Sequence, residues 1–464
     1  MKRSAAIALV SLFALGFCLS GCQSAASVAA SSGADAAPAQ ATAAPPAPTQ
    51  TPAPAATATA EGAAAPLWAA GAARTKTVVL SDLHLGIDDS FSENVANKPL
   101  LIAFLGRLAA MPDLKEVVIA GDFLDEWYLP MQYPSYSDSD EFYRQVAANN
   151  QPVMDAFAAL MASGVRLVYV PGNHDMLLHS GVLDELLPGI VQARDAEGLG
   201  VYYTGAGGNV AIEHGHRYDV FSAPDSISNA ALLGSDQSLL PPGYFYARYA
   251  ASWVTEGRPA VAKKYPAIAK APDKSDLDQY GAYIYYSVLN AEFSRMTPTE
   301  AFEDKTFQVG IAGFSGSYSV ADMFPVLQSD GTISAPVLYR NFQRTWQDRQ
   351  TQNRVTVPVS FLASAAGATG GDFLTAQAGA QYLDNAAKTI DLVVFGHTHI
   401  PAYSREDSGK LYLNSGTWVD HNTSTADNLS RTFVLFDGDA VRDAAVYVYN
   451  ADGTIRDISA DLAR

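Results

Sequence analysis

Five short polar blocks, each placed at the end of an apolar run, constrain this chain more than any other feature. Asp82-Leu83-His84 follows the run Thr77–Leu80, and Gly121-Asp122-Phe123-Leu124-Asp125 follows Val117–Ala120. Gly172-Asn173-His174-Asp175 follows Arg166–Val170, His214-Gly215-His216 follows Val210–Glu213, and Gly396-His397-Thr398-His399 follows Asp391–Phe395. Helical spacing over Lys98–Ala110 and Glu141–Ser163 separates the first three runs. Continuous apolar strands alternating with helices predict a sheet covered on both faces. In such sheets ligands gather at the carboxyl ends of strands, where every block falls.

The residue types suit metal ions. Hard divalent cations take carboxylate oxygens, and the first-row transition ions also accept imidazole nitrogen and amide oxygen. Six of the eight histidines lie in these blocks. Asp82 and His84 are two residues apart, so both can leave one strand end toward a common cavity, and His397 and His399 repeat that spacing. Glycines before Asp122 and Asn173 allow the sharp backbone turn such a site needs. A single strand-end Asp reads as a turn former and a single Asn-His pair as a cap. Five blocks in this order and placement do not.

Together the blocks resemble the signature of the calcineurin-like metallophosphoesterases, over about Thr75 to Tyr449 without the insertion. The resemblance implies an α/β fold, a four-layer αββα sandwich of two mixed sheets with helices outside. It also implies two divalent ions. Asp82, His84 and His399 would hold the first, Asn173, His214 and His397 the second, and Asp122 would bridge them. Two ions about 3.5–4 Å apart clamp a phosphoryl group and lower the pKa of a bridging water, giving a hydroxide for in-line attack. Mn, Fe and Zn all fit the donor set. His174 would face the leaving oxygen as a general acid or charge stabiliser, with Asp175 orienting it. His216 reads as a substrate contact, a further metal contact or a packing residue. Asp125 completes its block or caps a turn. His179 and His421 match no block, and Asn414–Trp418 resembles a segment that supports the site. The block Ser81–Gly86 is most similar to the branch containing UDP-2,3-diacylglucosamine hydrolases.

The ends and the middle place this chemistry. Lys2 and Arg3 precede an apolar run of about 15 residues, a secretory signal by length and charge. Its Leu19-Ser20-Gly21-Cys22 ending resembles a bacterial lipobox, so residues 1–22 are expected to be a signal ending at a lipidated Cys22. The protein is then exported and anchored to the outer membrane or cell surface. Residues 23–73, rich in Ala, Pro and Thr, read as a flexible spacer. The two cysteines, Cys18 and Cys22, both lie in the signal, so the domain has no disulfide.

The domain is expected over 74–217 and 389–464, interrupted by a mainly helical insertion over 218–388. A segment of about 170 residues is a cap rather than a loop. Its stretch Pro241–Tyr249 can stack on a base, cover an acyl chain or form the cap's own core. Arg340, Arg344 and Arg349 can bind a substrate phosphate or form a solvated face. A formal charge of −18 argues against a nucleic-acid polymer as partner. The expected partner is a phosphorylated small molecule or an envelope lipid, whether phosphomonoester, phosphodiester or pyrophosphate. A secreted nuclease or nucleotidase and a catalytically idle surface-binding lipoprotein are the alternatives.

Overall fold

The computed structural model describes residues 66–463 apart from 237, 260–266, 295, 297–301 and 368–371. The expected signal and most of the spacer therefore lie outside the described residues. Ordered packing begins earlier than residue 74. Leu67 is buried, and the Trp68 indole N–H donates to the Asp113 carboxylate. An apolar pair at the end of a polar spacer docks because its burial offsets the cost of fixing the backbone.

Twelve strands form two sheets: β1 Lys76–Leu80, β2 Leu114–Ala120, β3 Arg166–Val170, β4 Val191–Gln192, β5 Tyr202–Thr204, β6 Val210–Ile212, β7 Leu392–Phe395, β8 Ala402–Arg405, β9 Leu411–Asn414, β10 Thr432–Asp437, β11 Ala440–Tyr449 and β12 Ile455–Asp457. The first sheet has the order β12-β11-β10-β1-β2-β3-β4 and the second β8-β9-β7-β6-β5. Both are mixed. The strands β1 to β4 run parallel, and β10 to β12 add antiparallel to them. In the second sheet β6, β7 and β9 are parallel, with β5 and β8 antiparallel at the edges.

The two sheets face each other across one apolar layer that includes Val79, Val118, Val168, Ile212, Val394 and Leu413. The alternate residues of the first sheet, such as Val78, Leu80 and Ile119, point outward into a second core. Helices α1 Lys98–Ala109, α2 Ser139–Asn149 and α3 Gln151–Ala162 cover that side. Helix α1 does so through Leu101, Phe104, Leu105 and Leu108, spaced on one face. The predicted single helix over 141–163 is two helices. Asp138 caps the first through the N–H groups of Asp140 and Glu141, and Pro152 opens the second, where its missing N–H is no loss.

The outer layer of the second sheet comes from an unexpected place. Leu374, Ala378, Tyr382 and Leu383 pack beneath Val393, Phe395 and Tyr412. The end of the predicted insertion thus belongs to the sandwich as its fourth layer. The rest forms a cap with its own aromatic core, including Phe245, Tyr285, Phe293, Phe324 and Phe342. It contains helices Pro242–Thr255, Leu277–Phe293 and Phe342–Gln352, and two short hairpins that the helical expectation omitted. Among the described residues no helix is long and apolar enough to cross a membrane.

Candidate metal centre

The five polar blocks converge at the carboxyl ends of β1, β2, β3, β6 and β7, and the polypeptide is strained to bring them there. Asp82, His84, Asp122, His397 and His399 all have positive φ, between 45° and 73°. For residues with a Cβ this costs about 1 kcal/mol or more each, and such strain concentrates at functional sites. The flanking segment Asn414–Trp418 holds the first of these turns, since the Thr417 hydroxyl and the Trp418 N–H both donate to the Asp82 carbonyl. Two glycines make room for the approach. A Cβ on Gly121 would lie 2.4 Å from His214 Nδ1, and one on Gly172 would lie 2.2 Å from the Asp122 nitrogen.

Asp82, His84, Asp122 and His399 are buried with one ligand atom of each within 4.8 Å of the others. His84 Nδ1 lies 2.8 Å from Asp125 Oδ2, so it carries the proton and Nε2 presents a lone pair. That lone pair faces His399 Nε2 at 2.9 Å. Asp82 Oδ1 is buried without a hydrogen-bond partner among the described residues, 3.3 Å from the same His399 nitrogen. On the other side of Asp122, His214 Nδ1 lies 2.8 Å from the Ala120 carbonyl and must donate to it. Its Nε2 then faces Asn173 Oδ1 at 3.0 Å and Asp122 Oδ2 at 3.2 Å, while Asn173 Nδ2 has no hydrogen-bond partner among the described residues. The His397 ring completes this side, 5.2 Å from that of His214. Acceptors crowded against acceptors in a buried space are costly unless a cation lies among them. The donor set therefore fits divalent ions on both sides of Asp122.

A proton can also serve as that cation. Burial pushes the His214 imidazolium down, but the carboxylates of Asp122 and Asp82 outweigh it and lift the group to about 9. Burial likewise disfavours the Asp122 carboxylate, and His214 and His174 hold it well below the usual range. This negative pocket attracts protons and metal ions alike.

Three expectations are corrected. Asp175 does not orient His174. Its two oxygens accept from the N–H groups of Gly172 and Phe123, each at 2.7 Å, and burial lifts its carboxyl to about 6. The partner of His174 is Asp125, whose Oδ1 lies 3.0 Å from His174 Nδ1 while its Oδ2 holds His84. Asp125 Oδ1 is itself fixed by the N–H groups of Trp127 and Tyr128. His84, Asp125 and His174 could also be read as a small metal cluster, but both imidazoles spend their Nδ1 protons on the carboxylate. The three are a hydrogen-bonded relay.

His216 is buried behind the centre, with Nε2 3.1 Å from the Gly198 carbonyl and its ring 5.3 Å from that of His214. It packs against a metal-side histidine and does not line the chamber, so the substrate role falls away. The arginines of the insertion are also elsewhere. Arg349 is buried on the carbonyls of Val220 and Ala223, Arg344 pairs with exposed Asp278, and Arg340 is exposed away from the chamber.

Residues that sequence reasoning missed complete the site. Asp219 Oδ2 lies 3.3 Å from His397 Nε2, and Asp219 itself is fixed by the N–H of Phe221 and the hydroxyl of Ser222. The helix Pro242–Thr255 roofs the centre with Tyr246, Ala247 and Ala250, leaving a chamber of about 20 Å³. The stretch Pro241–Tyr249 thus both builds the cap, through buried Tyr244, Phe245 and Tyr249, and touches the site through Tyr246.

Comparison with known proteins follows the same line. The calcineurin-like phosphoesterase profile matches residues 75–247. Among solved structures the chain is similar to a phosphopantetheinyl hydrolase from Mycobacterium tuberculosis, at 13% identity over 74% of this chain and 90% of that one, with a TM-score of 0.24. A dimetal phosphatase from Danio rerio is similar at 10% identity over 82% of this chain and all of that one, with a TM-score of 0.29. At these scores neither likeness carries weight for fold or chemistry. No curated protein matches. With the profile spanning the first four blocks and the folded chain bringing the fifth to the same centre, residues 75–247 match the calcineurin-like phosphoesterase family, and the centre is built to take two divalent ions.

Proposed function

We propose that this hydrolase works outside the cytoplasm, tethered to the cell envelope through lipid on Cys22, on the phosphoester of a small molecule or an envelope lipid. The observation that carries the chemistry is the crowding of ligand atoms on both sides of Asp122, with Asp82 Oδ1 and Asn173 Nδ2 unpartnered among the described residues and the His174–Asp125 pair beside them under the cap helix. Asp82, His84, Asp122 and His399 would hold one ion and Asp122, Asn173, His214 and His397 the other. When bound, the ions neutralise the phosphoryl oxygens and supply a nucleophilic water near neutral pH. His174 lines the chamber and can hold a proton for the leaving oxygen, while Asp125 orients the ring and stabilises its cationic form. Asp219 holds the His397 ring from outside. The cap helix excludes bulk water, which strengthens every charge interaction beneath it. The narrow chamber under the cap helix favours a small or terminal phosphoester over the interior of a polymer.

The test is a substrate panel on metal-stripped protein, with Mn²⁺, Fe²⁺ or Zn²⁺ returned and ions counted on the same sample. About two ions per chain and restored hydrolysis of phosphomonoesters, phosphodiesters or pyrophosphates are expected. A protein with both ions bound and no activity on any of them sinks the proposal in favour of a binding role.

A further inference from the structure

One buried acid near the centre has no work in the scheme above. Glu93 lies on the segment between β1 and α1, and only 8% of its side chain is exposed. Its Oε2 has no hydrogen-bond partner among the described residues. The nearby imidazole nitrogen, His84 Nδ1 at 3.7 Å, already lies 2.8 Å from Asp125. Buried carboxylate oxygens are rarely left this way without a reason. Glu93 also lines two cavities at once. One is the metal chamber, and the other is an outer recess of about 290 Å³ that shares Glu93 and Tyr128 with it.

The recess has apolar surface from Phe91, Val254 and Val419, and Arg258 and His421 also line it. Of its other two acids, Asp89 is exposed and engaged through one oxygen, and Asp420 is engaged through both. Asp89 pairs with Lys98 and Asn149, and Asp420 accepts from the N–H groups of Val95, Ala96 and Asn97. Glu93 is the buried one with an oxygen to spare, and it lines both the chamber and the recess.

We propose that Glu93 is a specificity residue that accepts a hydrogen bond from a donor, hydroxyl or ammonium, on the leaving group of the substrate. The leaving group then lies in the outer recess. The same charge repels a second phosphate at that point, so the site selects phosphate esters of donor-bearing alcohols against pyrophosphates. This rests on the phosphoesterase reading and narrows it. A site built to satisfy a buried polar group rejects analogues that leave it unpaired.

The experiment compares ethyl phosphate, 2-hydroxyethyl phosphate, 2-aminoethyl phosphate and inorganic pyrophosphate on the full chain loaded with Mn²⁺, in wild type and Glu93→Gln. Wild type should prefer one or both donor-bearing esters over ethyl phosphate by about tenfold or more in kcat/KM, chiefly through KM. Glu93→Gln should collapse the preference for the aminoethyl ester and improve the relative rate on pyrophosphate. The hydroxyethyl preference should fall less, because the amide oxygen still accepts. Unchanged ratios in the variant overturn the proposal. So does an equal loss on all four substrates accompanied by loss of bound metal, which would make Glu93 a support for His84. Wild-type inactivity on every ester would instead sink the phosphoesterase reading. Calorimetric binding of ethyl against 2-aminoethyl phosphate to both proteins still decides the role of Glu93 in that case, and equal binding overturns it.

Discussion

The rim of strand ends and the cap beside it both bury charge, and they do so in different ways. At the rim, ligand atoms crowd together: Asp82 Oδ1 has no hydrogen-bond partner among the described residues, and imidazole nitrogens face one another or an amide oxygen. In the cap the surplus is of donors, and the chain itself meets most of it. Arg248, fully buried, donates to the carbonyls of Pro130, Met131, Tyr133 and Gln308. Arg349 donates to two more carbonyls beside Asp225, over the rings of Phe342 and Trp346. A region whose buried cations are held mainly by its own carbonyls is built to hold shape. A region that is unbalanced in one direction is built to receive something of the opposite sign.

The largest break in that comparison would come from Asp122→Ala, which removes the acceptor shared by both halves of the rim. Nitrophenyl phosphate hydrolysis should fall by about 10³-fold or more, the loss of several kcal/mol of charge stabilisation. Bound metal should fall with it. A variant within tenfold of wild type would show that the rim is not organised around this carboxylate.

In the cap, Arg248→Met should leave four carbonyls short of donors and lower the free energy of unfolding by roughly 3 kcal/mol in urea melts. An unchanged melt would mean that the cap's internal balance is incidental.

Glu126 sharpens the contrast by pH. It is buried next to the rim and accepts from the hydroxyls of Tyr136 and Tyr143. Burial lifts its carboxyl from 4.5 to about 7. The folded state therefore binds a proton that the unfolded state has released. Its contribution is complete below pH 4.5 and is lost as pH rises through about 7. The loss should amount to roughly 3 kcal/mol across that window. Melts of Glu126→Gln against wild type should show this slope removed, and parallel pH profiles would refute it.

The smallest effect separates the two acids near His174. Asp125→Asn should lower kcat/KM by about 10–100-fold, as expected for a group that holds a metal-side histidine. Asp175→Asn should weaken the fold through its two backbone contacts more than it slows turnover. The reverse ranking would restore Asp175 as the partner of His174.

What the sequence made legible was local. Each ligand block follows a strand whose apolar run is itself readable, so Asp82, His84, Asp122, Asn173, His214, His397 and His399 could be placed at strand ends. Adjacency misled at Asp175, because a carboxylate after a strand is closest to the N–H groups of its own turn. Asp125 reaches His174 through space, across 49 residues of chain, which no spacing reports. The break between α2 and α3 was readable at Pro152 but was hidden by continuous apolar spacing on both sides. Asp219 and Glu93 carry no motif, and only the folded chain puts them against histidines. The cap was legible as a cap by length. Its division, with Leu374–Leu383 serving the second sheet, depends on packing that binary pattern does not encode.

The position of Arg248 has a practical consequence for anyone who would exchange caps between relatives. Its guanidinium stitches the roof helix to the loop that carries Tyr128, a wall of the chamber. The natural seam for a graft is therefore not the point where the insertion leaves the sandwich in sequence. A transplanted roof would have to bring the stretch from Trp127 to Tyr133 with it, or arrive with a cation short of three of its four carbonyls.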